Sequence, residues 1–143
     1  MNRSLNLPFI LCIILVFIDQ SLKVWVKSNF ALGESLEITP WFKIHFTENP
    51  GMAFGIEWGG VIGKYILSSF RIFAILGIVW YMFRLAKGGA SKFVLISMSF
   101  VLAGALGNVI DSLLYGLIYN KGLVYNNMYS QWVMYSGVAK LNF

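Results

Sequence analysis

The sequence predicts an all-α integral membrane protein with three transmembrane helices and a small extracytoplasmic β-hairpin. Three observations carry that expectation. First, 58% of the 143 residues are hydrophobic, 17% are aromatic and only 12% are charged. The mean hydropathy is +0.71, which is too apolar for a soluble domain. Second, three apolar segments each approach the ~20 residues needed to cross ~30 Å of hydrocarbon. Third, the last of these closes on Gly104-Ala105-Leu106-Gly107-Asn108-Val109-Ile110-Asp111. A carboxamide and a carboxylate at membrane depth are costly, and they persist where they face protein or water and have a task.

The first span runs roughly from Leu5 to Val26. Arg3 ahead of Leu7 to Ile18 resembles a signal peptide, but Asp19-Gln20-Ser21-Leu22-Lys23 follows where a small-x-small cleavage site would stand. The segment therefore reads as a retained anchor or first transmembrane helix. The second span runs from Lys64 to Phe83, and the third, Phe93 to Ile110, carries no charge. Arg84, Lys87 and Lys92 place three positive charges and no acid between them. The longer stretch from Lys27 to Trp58 instead holds Glu34, Glu37, Glu48 and Glu57 against Lys27 and Lys43. The positive-inside rule then puts the short basic loop and the N-terminus in the cytoplasm, and the acidic loop outside.

Within that outer loop Phe42, Ile44 and Phe46 alternate with Lys43, His45 and Thr47, the period of a strand. Asn49-Pro50-Gly51 has the order a type II turn prefers, so Met52 to Ile56 is expected as the returning strand. The tail from Asn120 to Phe143 shows no sustained span, and after Asp111 no acidic residue follows. The net charge of +5 is scattered, which argues against a nucleic-acid partner. Cys12, the single cysteine, reads as a small core or lipid-facing residue.

Asp19 and Lys23 share one helix face at i, i+4. They read either as an ion pair that eases charges into the membrane or as a polar post at the rim of a site. With the N-terminus inside, Asp19, Asn49, Asn108 and Asp111 come from three segments to one membrane level, which is a stronger signal than any of them alone. Arg71, in the second span, needs an acidic partner there, and Asp19 or Asp111 can supply it. Gly104 and Gly107 would let helices approach closely. No His, Cys or carboxylate cluster has metal-ligand spacing. No phosphate-binding loop or Ser-His pattern stands out either, so neither a metal nor a cofactor is expected.

Asp19-Gln20-x-x-Lys23, Asn49-x-Gly51-x-Ala53-Phe54-Gly55 and Gly104-Ala105-Leu106-Gly107-Asn108-x-x-Asp111 resemble, in order, the first three motif boxes of the lipoprotein signal peptidase (signal peptidase II) family. The resemblance covers roughly residues 5 to 119. It implies a bacterial inner-membrane aspartic endopeptidase with four transmembrane helices and a periplasmic β-cradle. Such an enzyme removes signal peptides from diacylglyceryl-modified prolipoproteins, so its partners are that substrate and membrane lipid. By this resemblance Asp19, Lys23, Asn49, Gly51, Asn108 and Asp111 shape and support the site.

None of these matches the family's catalytic pair. The family's catalytic aspartates lie in a Val-Val-Asp-Phe-like stretch and a Phe-Asn-x-Ala-Asp stretch, and neither occurs in this sequence. Ser112 also stands where Arg commonly follows the third box. The expectation is a signal-peptidase-II-like membrane domain over 1–119 and a divergent tail over 120–143, truncated or shifted in frame, with catalysis lost or crippled. The alternatives are a non-catalytic module that binds lipid or lipopeptide, and a structural membrane protein whose polar residues only pack helices.

Overall fold

A computed structural model describes residues 3–49, 60–129 and 131–142. The three apolar segments are helices: α1 (Arg3–Asn29), α2 (Gly60–Lys87) and α3 (Lys92–Ile118). Leu5–Asn29, Val61–Lys87 and Lys92–Ile118 are each long and apolar enough to cross a membrane. Every helix outruns its apolar stretch. A helix satisfies its own backbone polar groups in water as in lipid, so the edge of the hydropathy pattern does not end it. Asp111 therefore lies about two turns inside α3, rather than at its end.

The basic connection between α2 and α3 is a tight αα turn with a cap on each side. Gly89 adopts a positive φ of 74°, while Ala90 N donates to Leu85 O at 3.0 Å; a glycine in this conformation closes a helix C-terminus. Ser91 Oγ then accepts from Val94 N at 3.4 Å, the role of an N-cap.

The chain forms two compact units, Met1–Ser21 with Ser69–Asp111 and Leu22–Ser68 with Ser112–Phe143. The first unit is helical. Leu5, Cys12, Met82, Leu95, Leu102 and Ala103 are its buried core, with Phe9, Ile78 and Met98 packed against them. Cys12 is thus a core residue. Phe17, Phe73 and Phe93 point outward and are more than two-thirds exposed, as lipid-facing side chains are. Gly104 is exposed, and a Cβ there would meet nothing within 4 Å. The close approach expected of it is not made at this glycine.

Among the described residues the second unit contains two small antiparallel sheets. Phe42–His45 is a strand, β2, as the alternation predicts, and it pairs with an upstream strand, β1 (Ser35–Thr39). Ser35 faces His45, Leu36 faces Ile44 and Glu37 faces Lys43, with an irregularity between Glu37 and Thr39. Pro40 and Trp41 form the turn, and the fixed φ of proline suits a reversal there. The expected turn at Pro50-Gly51 and return strand over Met52 to Ile56 lie outside the described residues.

The tail forms β3 (Val124–Asn126) and β4 (Gln131–Val133), which pair with Tyr125 opposite Trp132. Asn126 Oδ1 accepts from Met128 N at 2.9 Å and Tyr129 N at 3.3 Å, an Asx-type turn that the composition alone did not announce. Past this hairpin the chain returns to the end of α3. Asn120 N donates to Lys140 O at 3.0 Å and Asn142 N to Ile118 O at 2.9 Å.

Candidate functional site

In the helical unit Asp19 and Asp111 meet around one side chain. Gln20 Nε2, on α1, donates to Asp19 Oδ2 at 3.0 Å and to Asp111 Oδ1 on α3 at 3.0 Å. A longer contact of 3.4 Å reaches Gly107 O. A carboxamide nitrogen has two hydrogens, so one is available for each carboxylate. The acceptors around it fix which end of the amide faces inward. Both carboxylate oxygens that face Gln20 are acceptors, and the amide bridges them. That differs from two carboxylates sharing a proton, the arrangement an aspartic dyad uses.

Asn108 lies one turn before Asp111 on α3 and is exposed, and Arg71 is half-buried on α2. Lys23, on α1, and the exposed Asn49 belong to the second unit. Gly51 lies outside the described residues. Among the described residues no group of three or more His, Cys, Asp or Glu could hold a metal ion.

The second unit has its own polar centre. Lys27, in the last turn of α1, is 4% exposed and pairs with Glu48. Glu48 Oε1 also accepts from Tyr135 Oη at 2.6 Å, and Oε2 accepts from Leu123 N at 3.1 Å. Three tyrosine rings surround the Lys27 ammonium, with centroids 5.0 Å away for Tyr119, 5.7 Å for Tyr135 and 5.9 Å for Tyr115. An ammonium over aromatic faces is attracted by the ring quadrupoles, the more so when water is excluded. Tyr119 is held in turn: its hydroxyl lies 3.3 Å from Ser28 Oγ and donates to Val24 O at 3.4 Å.

Burial, followed by the hydrogen bond to Glu48 and its negative charge, raises the Tyr135 phenol well above its ordinary value near 10. The sign of the linkage follows. A phenol whose pKa is raised by folding contributes stability that is intact below the unfolded value and is lost as pH climbs toward the folded one. Stability of the wild-type chain in detergent is therefore expected to fall from about pH 10 upward. Tyr135→Phe should remove part of that slope. Parallel melting curves between pH 8 and 11.5 check this, and identical slopes would contradict it.

The family described as signal peptidase (SPase) II matches residues 11–137. The chain belongs to the signal peptidase II family. Its relatives include the lipoprotein signal peptidase of Porphyromonas gingivalis, 43% identical over 111 residues, which are 77% of this chain and 48% of that protein. The lipoprotein signal peptidase of Amoebophilus asiaticus is 44% identical over 76% of this chain and 48% of its own length. That of Clostridium novyi is 29% identical over 80% of this chain and 75% of its own. The chain thus spans about half the length of the first two relatives. No solved structure matches it. As a member of this peptidase family with three helices able to span a membrane, it is a multi-pass membrane protein.

The signal peptidase II match runs beyond Tyr119 into the tail, where sequence reading found no motif. Sequence reading also assigned no task to Gln20, Lys27, Glu48 or Tyr135. Glu48 had a signal, as the acid directly before Asn49. The approach of Tyr135 and Leu123 to it, across 87 and 75 residues, had none.

Proposed function

We propose that the chain is a bacterial inner-membrane protein of the lipoprotein signal peptidase type, with its N-terminus in the cytoplasm, and that it recognises diacylglyceryl-modified prolipoproteins. Asp19, Lys23, Asn49, Gly51, Asn108 and Asp111 bind the substrate or support its site. We propose further that these 143 residues alone bind such a precursor without cutting it at an appreciable rate. The observation that carries this reading is the Gln20 bridge. Asp19 and Asp111 are the only two aspartates in the sequence, and both face the same amide. Aspartic catalysis needs one carboxyl to activate water while the other donates a proton.

The test uses the purified 143-residue chain in lipid vesicles with a diacylglyceryl-modified precursor. The expected result is retention of the precursor at full length. A shortened product that disappears in Asp111→Asn would overturn the catalytic half of the proposal. Failure to retain the precursor would overturn the binding half and favour a purely structural role.

A further inference from the structure

We propose that Glu48, held by Lys27 and Tyr135, is the positioning residue for Asn49, so that the tail is a working part of the substrate-binding loop. The inference rests on the reading above, with Asn49 among the groups that bind the substrate. Glu48 and Asn49 are consecutive, so fixing the first fixes the point from which the second departs, one Cα step of about 3.8 Å away. The Glu48 carboxylate is gripped from three sides: by the Lys27 ammonium, the Tyr135 hydroxyl and the Leu123 N–H. Two of the three donors belong to the tail. Asn49 itself is exposed and can meet a ligand.

Stability alone does not account for this arrangement. A buried ion pair often contributes no more than a well-packed apolar pair of the same volume. A fully satisfied polar network fixes one geometry, which is what a loop carrying a recognition amide requires. The surface offers a contrast: Lys43 and Glu37 pair at 3.5 Å with both side chains more than half exposed. The tail is moored a second time by bridges pairing Ala31 with Val138 and Tyr119 with Leu141. Tyr135 thus reaches Glu48 from a segment anchored at its root.

The experiment has two readouts on the full chain in detergent micelles. The first is the side-chain amide resonance of Asn49 in protein labelled with 15N-asparagine, identified by its loss in Asn49→Ala. The second is affinity for a synthetic peptide carrying a diacylglyceryl cysteine. Tyr135→Phe removes one hydroxyl and keeps the ring, so it tests the inference even where Glu48→Gln does not fold. The expected result is a shifted Asn49 resonance in both variants and affinity lowered on the order of tenfold, with Glu37→Gln unchanged in both. An unshifted resonance in Tyr135→Phe overturns the inference whether or not the peptide binds. A shifted resonance with unchanged affinity, where Asn49→Ala does lose affinity, overturns it as well. Unchanged affinity in Asn49→Ala instead removes the reading on which the inference stands.

Discussion

Gln20→Glu is expected to destabilise the helical unit by on the order of 2–4 kcal/mol. The wild-type amide gives a hydrogen to each of two carboxylates. A glutamate in its place gives neither and adds a third negative charge between Asp19 and Asp111. Gln20→Met keeps the volume and loses only the bonds, so its cost should be about half as large. The double variant Gln20→Glu with Asp111→Asn should recover much of the loss, because acceptor and donor then exchange places. Denaturant titration in detergent micelles of the wild type, Gln20→Glu, Asp111→Asn and the double variant, followed by helix content, gives the four values that close the cycle. If Gln20→Glu is no worse than Gln20→Met, the two carboxylates are not bridged by this side chain.

Glu48→Ala should cost the second unit on the order of 3–5 kcal/mol. It leaves the Lys27 ammonium buried among tyrosine rings without its carboxylate. Lys27→Met should cost less, for two physical reasons. Glu48 keeps the Tyr135 hydroxyl and the Leu123 N–H, and a flexible thioether packs acceptably against aromatic rings. Glu37→Ala, at an exposed pair, is expected to change stability by less than about 1 kcal/mol. Thermal melts of the three variants, read by near-ultraviolet signals of the tyrosines, rank them. Equal losses for Glu48→Ala and Lys27→Met would show that the cage does not hold the charge as described.

The helices were legible in the sequence because hydropathy over twenty residues sums many small terms of one sign. Their ends were not, since helical backbone continues wherever its hydrogen bonds close. The strand at Phe42 to His45 was legible from its alternation. Its pairing with β1 was not, because the turn at Pro40-Trp41 that joins them is a weaker signal than Asn49-Pro50-Gly51. In the functional region, the quoted motif contained Gln20, but its neighbours Asp19 and Lys23 carried the charges. A neutral amide between two acids becomes visible only once α1 and α3 lie side by side. The Lys27 cage depended on Tyr119 and Tyr135, 92 and 108 positions away, and no local pattern announces contacts at such distances.

That separation also sets a timetable for biosynthesis. Lys27 and Glu48 emerge 21 residues apart, whereas Tyr135 follows Glu48 by 87. At translation rates of roughly 5–20 residues per second, the pair waits on the order of ten seconds for the hydroxyl that completes it. During that interval the nascent chain can already have two or three helices inserted while the Asn49 loop is still unfastened. The Glu48 network therefore closes only once Tyr135 has been made, long after the two charges that start it are in place.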